Sequence, residues 1–128
     1  MARVFISFAM EDKILRDFLV GQKNNARTKI EFTDYSVKEP WSAAWKTNCR
    51  ERIKGCSAMI GIVTKNTSAA DGQLWELKCA GEEEVPLFLI HGYAAPEKKL
   101  TTLPGVIASR RIHLWTEENI VNFLNQVG

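Results

Sequence analysis

The stretch SAMIGIVT, Ser57 to Thr64, is a continuous apolar run of strand length. A half-exposed strand alternates apolar and polar residues, whereas a run without that alternation indicates a strand that is covered on both faces. Such strands are typical of the centre of a parallel sheet, where helices pack against both sides. The sequence on either side of this run is therefore expected to alternate between strands and helices.

Four more runs have strand length and are rich in β-branched and aromatic residues. They are RVFISF (Arg3 to Phe8), KIEFTDY (Lys29 to Tyr35), VPLFLIHGY (Val85 to Tyr93) and RRIHLW (Arg110 to Trp115). The last two are separated by a loop that contains Pro96 and Pro104. The sequence thus predicts five strands, with the Ser57 to Thr64 run third in order.

Helical periodicity fills the gaps between these strands. The clearest case is an apolar face that recurs every four residues, at Trp41, Trp45, Cys49 and Ile53. Pro40 suits the first position of a helix and Gly55 suits its end, so we predict a helix between them.

Three other segments carry helical signals as well. The acids Glu11 and Asp12 favour the start of a helix, because the helix dipole stabilises negative charge there. The apolar stripe that follows consists of Ile14, Leu15, Phe18 and Leu19. Asp71 and Thr116 are the expected N-caps of the last two helices.

The resulting order is β-α-β-α-β-α-β-β-α, with no internal repeat and no low-complexity linker. Alternation of this kind predicts a parallel sheet with right-handed crossovers and helices on both faces. We therefore predict one domain over residues 1–128, an α/β three-layer sandwich with a flavodoxin-like, doubly wound sheet of five parallel strands. Ligands bind such sheets beyond the carboxyl ends of the strands, so the loops after the first three strands are the expected site.

Composition narrows the classes of function. The 128 residues carry a formal net charge of +2, which indicates neither a polybasic nucleic-acid surface nor an acidic tail. We therefore expect no nucleic-acid partner. No apolar run approaches the roughly 20 residues of a membrane-spanning helix, so we also expect no membrane partner and a cytoplasmic location. Cys49, Cys56 and Cys79 show no C-x-x-C spacing and are expected to be free thiols rather than metal ligands.

The predicted loops lack the usual phosphate-binding motifs. AMEDK, after the first strand, is not the Ser/Thr/Gly/Asn loop that flavin mononucleotide requires, and neither G-x-G-x-x-G nor G-x-x-x-x-G-K-[ST] occurs. A response-regulator receiver is disfavoured, because IVTKNT supplies no phosphoacceptor Asp after the third strand. His91 and His113 lie in strands without an evident nucleophile, so we interpret both as packing residues.

Four boxes in register resemble Toll/interleukin-1 receptor (TIR) domains. RVFISF resembles the first TIR box, and EFTDYS resembles the aspartate and serine after the second strand of the bacterial TIR-like group. SAMIGIVTKNTS followed by WELKCA is similar to that group's third strand, polar loop and Glu-x-x-x-Ala helix. The resemblance covers nearly the whole chain and extends to the TIR-like proteins of the Thoeris antiphage defence system.

The resemblance implies hydrolysis or cyclisation of nicotinamide adenine dinucleotide (NAD), with a helix glutamate as the indispensable residue and no further cofactor. Glu76 is the matching position, four residues before Ala80 and ten before Pro86. The chain departs from the family at Gly72, where many relatives carry tryptophan, and at Ala9, where many catalytic relatives carry a basic residue. Both departures concern contacts to the substrate.

The chemistry of the bond gives Glu76 a role. Breaking the nicotinamide–ribose bond leaves an oxocarbenium-like sugar, and a carboxylate that faces the sugar stabilises this developing charge. Nicotinamide leaves as a neutral molecule, so no general acid is needed and one carboxylate can suffice. The alternative for Glu76 is a glutamate that faces solvent on a helix surface.

Five more residues are candidates for binding the substrate. Phe8, Trp41 and Trp75 could stack on nicotinamide or adenine, because aromatic faces bind planar cations well. Ser7 and Asp34, at predicted strand ends, could bond to sugar or phosphate. The alternatives are core packing for Trp41, as for Trp45, and turn formation for Ser7 and Asp34.

Two functions with the same fold remain open. The first is a TIR-like NAD glycohydrolase or cyclase that releases nicotinamide and a linear or cyclic ADP-ribose, a signal for a separate effector protein in antiphage immunity. The second is a non-catalytic interaction module of the TIR type. The resemblance implies self-association in both cases, and release of nicotinamide by the purified protein discriminates between them.

Overall fold

A computed structural model describes residues 2–22, 30–35, 38–92 and 110–127. Its strands are β1 (Ala2–Ser7), β2 (Ile30–Thr33), β3 (Ala58–Val63), β4 (Leu87–His91) and β5 (Ile112–His113). Its helices are α1 (Lys13–Gln22), α2 (Ala43–Lys54), α3 (Asp71–Glu82) and α4 (Glu117–Val127). The predicted start of the second strand at Lys29 and the predicted loop with Pro96 and Pro104 lie outside the described residues.

The five strands form one sheet in the order β2-β1-β3-β4-β5, and every neighbouring pair is parallel. This confirms the predicted α/β fold with a doubly wound, flavodoxin-like sheet. All six residues of β3 are buried, as expected for the central strand. From β1 the chain crosses to β2 on one side of the sheet, and from β3 it crosses to β4 on the other side. The carboxyl ends of β1 and β3 therefore border the crevice where such sheets bind ligands.

The helices cover both faces of the sheet. Along β3, Met59 and Val63 pack into one apolar cluster and Ile60 and Ile62 into the other, as the period of two in a strand requires. The first cluster takes its helical members from α2 and α3, including Trp45, Cys49, Ile53, Leu77 and Cys79. The second takes Leu19 from α1 and Ile120 and Leu124 from α4. The result is the predicted three-layer sandwich.

Gly61 sets how closely α3 approaches the sheet. A Cβ atom at this position would lie 2.7 Å from Leu89 Cδ2 and 2.9 Å from Leu77 Cδ2. Leu77 follows Glu76 on α3, so the absence of a side chain at Gly61 allows the helix that carries Glu76 to pack tightly on β3.

The start of α2 differs from the prediction. Ser42 is the N-cap, and its side chain accepts a hydrogen bond from Trp45 N at 3.2 Å. Pro40 and Trp41 form a turn before the helix rather than its first residues. Trp41 is therefore off the helical face, and its 77% exposure contradicts the alternative of core packing, whereas Trp45 is buried as expected.

Two further helical predictions were wrong in part. Leu19 is buried and Leu15 half-buried, but Ile14 and Phe18 are 70% and 66% exposed. The four positions form two pairs, each one turn apart: Leu15 and Leu19 face the sheet, and Ile14 and Phe18 face outward. Asp71 is the first residue of α3, and the N-cap is Ala70, which makes no side-chain capping bond.

The three cysteines are buried free thiols, as predicted. Among the helices of the described ranges, none combines the length and the apolar content needed to cross a bilayer.

Candidate active site

Glu76 lies in the second turn of α3, and its side chain is completely buried. The alternative of a solvent-facing glutamate is therefore wrong. Gly72, Gln73, Leu77 and Ala80 are buried on the same helix, so this face of α3 packs against the rest of the domain. The carboxylate meets Ser7, the last residue of β1.

Three groups contact the Glu76 carboxylate. Ser7 Oγ donates a hydrogen bond to Oε1 at 2.8 Å. Lys38 Nζ donates to both Oε1 and Oε2, at 2.9 Å each. The Cys49 thiol lies on the far side, with Sγ 3.9 Å from Oε2. Both oxygens are therefore satisfied within the protein.

Lys38 reaches the carboxylate from the loop between β2 and α2, and its side chain is only 2% exposed. Its ammonium group lies over the ring of Phe8, 4.5 Å from the ring centroid. Its stem packs against Gly72, where a Cβ atom would lie 2.6 Å from Lys38 Cβ and 2.7 Å from Lys38 Cδ. The missing side chain at Gly72 makes room for the lysine.

Burial dominates the electrostatics of this pair. Removal from water raises the pKa of Glu76 to about 7, although the Lys38 ammonium and the Ser7 hydrogen bond both favour the ionised form. Burial, followed by the charge of Glu76, holds the pKa of the Cys49 thiol far above its usual range. Glu76 thus changes its charge near neutral pH, while Cys49 stays a neutral thiol.

Gln73 joins α3 to the sheet near Glu76. Its Nε2 donates to the carbonyl oxygens of Ser7 at 3.1 Å and Ile62 at 2.7 Å. These bonds tie the first turn of the helix to the carboxyl ends of β1 and β3. Because Glu76 lies three residues after Gln73 on α3, the same two bonds fix its position relative to Ser7.

An open groove of about 270 Å³ lies beside this cluster. Its lining consists of Met10, Glu11, Lys38, Pro40, Trp41 and residues 69–73. Lys38 is shared by the groove and the carboxylate, whereas Glu76 does not line the groove. As the side chains stand, a ligand in the groove meets Lys38 before it meets Glu76.

Three of the predicted binding residues gather here. Ser7 contacts Glu76 directly, and Trp41 lines the groove. Phe8 is fully buried, and the Lys38 ammonium and the Arg16 guanidinium lie 4.5 Å and 5.6 Å from its ring centroid. The face of Phe8 thus binds cations of the protein itself.

Asp34 and Trp75, the other two predicted residues, contact other groups of the protein. Asp34 accepts a hydrogen bond from Arg16 Nη1 at 2.9 Å, and its charge adds to the causes that raise the pKa of Glu76. Trp75 packs between α2 and α3, 5.4 Å from the ring of Trp45 and 5.4 Å from the guanidinium carbon of Arg50. It does not line the groove.

Sequence reasoning missed Lys38. A lysine in a polar loop is normally solvated, and no motif marks this one. The available signal was Gly72, a residue without a side chain one turn before a candidate carboxylate, which leaves space for another group.

Asp12 occupies the other part of the crevice. Thr64 Oγ1 donates to its Oδ2, and Asn66 Nδ2 donates to its Oδ1 at 2.9 Å. Thr64 stands directly after β3, where a receiver would need its phosphoacceptor, and both oxygens of Asp12 are bonded. This network links the segments that follow β1 and β3.

Over residues 2–22, 30–35, 38–92 and 110–127, no three His, Cys, Asp or Glu side chains are grouped to hold a metal ion. No protein-family model matches the chain, and a search of curated proteins finds no match. The case for function therefore rests on the Glu76 cluster, the groove and the TIR-like boxes of the sequence.

Proposed function

We propose that the chain cleaves the nicotinamide–ribose bond of NAD, with Glu76 as the catalytic carboxylate. The observation that carries the proposal is the burial of Glu76 against an ammonium group at the carboxyl edge of the sheet. This edge is where sheets of this topology bind ligands.

A purely structural role accounts poorly for this arrangement. Two buried charges cost several kcal/mol each in lost hydration, and apolar side chains of similar size often serve stability as well or better. A buried carboxylate beside a groove, with its pKa moved to about 7, has instead the character of a catalytic group.

The reaction balances without a further reagent. The electron pair of the bond between C1′ and the pyridinium nitrogen leaves with nicotinamide, which becomes neutral, and the ribose is left as an oxocarbenium ion. Ionised Glu76 stabilises that cation. Water then adds at C1′ and loses a proton, which gives ADP-ribose, or an atom of the same substrate adds and gives a cyclic product.

The groove supplies a place for the rest of the substrate. The 77% exposed ring of Trp41 offers a stacking surface at its edge, and Ser7 can bond to a ribose hydroxyl once the carboxylate is engaged there. The product would act as a signal on a separate effector, in antiphage immunity as in the TIR-like group.

The test is release of nicotinamide from NAD by the purified protein and by Glu76→Gln. Deleting the charge removes one preorganised electrostatic stabiliser, so we expect the rate to fall by about 10²–10³. Products are identified by mass, which also separates linear from cyclic ADP-ribose. Equal rates for both proteins would contradict the catalytic role of Glu76.

The free energy of unfolding of each variant must be measured together with its activity. Glu76→Gln leaves the Lys38 ammonium buried with a weaker partner, which lowers the free energy of unfolding. The control is Lys38→Met/Glu76→Gln, in which no unpaired charge remains. This double variant is expected to be more stable than Glu76→Gln and equally inactive.

One observation favours the second candidate, an interaction module without turnover. Glu76 is completely buried and both of its oxygens are bonded, so the carboxylate is closed in this structure. A wild-type protein that self-associates but releases no nicotinamide at any concentration would support this alternative.

A further inference from the structure

The Glu76 cluster is balanced in charge. One carboxylate and one ammonium group meet at 2.9 Å, and their side chains are 0% and 2% exposed. The other two groups in contact with the carboxylate, the Ser7 hydroxyl and the Cys49 thiol, are neutral. Whatever removes Lys38 therefore leaves a buried negative charge without a partner.

A ligand cannot contact the carboxylate while Lys38 is there. The ammonium group takes a lone pair from each oxygen, Ser7 takes another from Oε1, and Cys49 lies against Oε2. Lys38 is also the member of this group that lines the groove. The ligand and the ammonium group thus compete for the same place.

The groups that surround the Lys38 ammonium are suited to binding a cation. Glu76 supplies the negative charge, and the face of Phe8 lies 4.5 Å from the ammonium nitrogen. A carboxylate beside an aromatic face is a favourable environment for a flat or quaternary nitrogen cation. The nearby Arg16 is neutralised by Asp34, at 2.9 Å.

We propose that Glu76 and Phe8 form a cation site in which Lys38 stands in for the positive charge of the ligand. A ligand with a pyridinium ring brings its own cation and restores the balance when Lys38 leaves. A neutral ligand of the same shape leaves the buried carboxylate unpaired and is rejected. The inference rests on the proposed function, since it names N-ribosyl pyridinium compounds as the class that the site accepts.

NAD⁺ and NADH are suitable probes, because they share their shape and their phosphates and differ in the charge of the nicotinamide ring. Dissociation constants are measured well above pH 7, where Glu76 is ionised, from the initial change in tryptophan fluorescence before NAD⁺ is cleaved. We expect wild type to bind NAD⁺ at least about 10-fold more tightly than NADH, because the neutral ring of NADH leaves the buried carboxylate without a counter-charge. Equal affinities in wild type would overturn the inference.

Lys38→Met keeps a long stem and removes the charge. Neither nucleotide then has an ion pair to separate, so both should bind about 10-fold or more tightly than they bind to wild type, while the ratio of their affinities, which depends only on the occupied site, should stay the same. Lys78→Met removes the same charge from an exposed position on α3 and should leave both affinities unchanged. Glu76→Gln should abolish the preference for NAD⁺.

A second variant tests the same point without changing any charge. In Gly72→Ala the new methyl group overlaps the stem of Lys38, so the loop that carries the lysine must move away from Glu76. The ion pair is then already separated in the free protein, so both nucleotides should bind more tightly, as in Lys38→Met. Unchanged affinities in both folded variants would overturn the inference.

The outcomes separate this inference from the proposed reaction. If both nucleotides bind with the expected ratios but no nicotinamide appears, cleavage is wrong and the cation site stands. If nicotinamide is released and Lys38→Met binds neither nucleotide more tightly than wild type does, cleavage stands and the role of Lys38 is wrong. If neither nucleotide binds, both are wrong.

Discussion

Glu76 and Lys38 lie 38 positions apart in the chain, yet their charged groups meet where neither side chain is more than 2% exposed. The sequence pointed to Glu76, because a carboxylate in a TIR-like box has a chemical reason to be there. It could not point to Lys38, because nothing local distinguishes a lysine whose partner is supplied by another element. The identity of that partner is a property of tertiary packing.

The pH dependence of turnover follows from the same pair. Since the pKa of Glu76 is raised to about 7 and the proposed reaction uses the ionised form, kcat/KM should fall as the pH is lowered through about 7. Lys38 stabilises the ionised form, so in Lys38→Met the fall should occur at higher pH. Initial rates of nicotinamide release across the pH range check both statements, and Lys78→Met is the control. A pH profile of kcat/KM that is the same in wild type and Lys38→Met would contradict this assignment.

Gly72 gives a prediction about stability. Alanine is the better helix former, yet the overlap with Lys38 should make Gly72→Ala less stable by about 1–3 kcal/mol. In a Lys38→Gly background the overlap is gone, and the same change should be neutral or stabilising by up to about 1 kcal/mol. Urea denaturation of the four proteins measures the coupling between the two positions. Equal costs in both backgrounds would show that Lys38 does not occupy the space beside Gly72.

At the scale of elements, long runs are easier to predict than their ends. Ser57 to Thr64 is recognisable as the central strand, because an unbroken apolar run of this length is typical of a strand covered on both faces. The predicted start of α2 at Pro40 is wrong, because Ser42, a better N-cap, lies only two residues later. That shift turns Trp41 from an expected helix residue into an exposed residue of the groove.

The contact between α3 and β3 can be tested at Gly61. Gly61→Ala places a methyl group within 3 Å of Leu77 and Leu89, so we expect the free energy of unfolding to fall by about 1–3 kcal/mol. Gly21→Ala in α1 is the matched control, since no atom lies within 4 Å of the new group. It should be neutral or stabilising by up to about 1 kcal/mol. A similar loss at both positions would mean that close packing at Gly61 is not the cause.

At the scale of the whole molecule, alternating patterns determine the topology almost completely. The order β2-β1-β3-β4-β5 is that of the predicted flavodoxin-like sheet, and it fixes which loops border the crevice. The sequence predicts less well which side chains lie in the crevice. Ser7 lies at a strand end as predicted, whereas Trp75 packs between α2 and α3 because its neighbour Glu76 takes the inner face.

The resemblance to TIR domains implies that subunits build the active site together. We therefore expect the specific rate of nicotinamide release to fall on dilution and to recover on concentration, because association depends on concentration. The measurement pairs initial rates with the molecular mass in solution over the same range. A strictly monomeric protein with a constant specific rate would contradict this prediction.

The thiol of Cys49 gives the molecule a built-in reporter. Sulfur and carboxylate are neighbours at 3.9 Å, and both are shut away together. Alkylating reagents require an accessible sulfur in its thiolate form, so Cys49 is inert while the cluster is closed. A motion that separates α2 from α3 uncovers both Glu76 and Cys49, and the rate at which a reagent modifies Cys49 measures how often these two helices part.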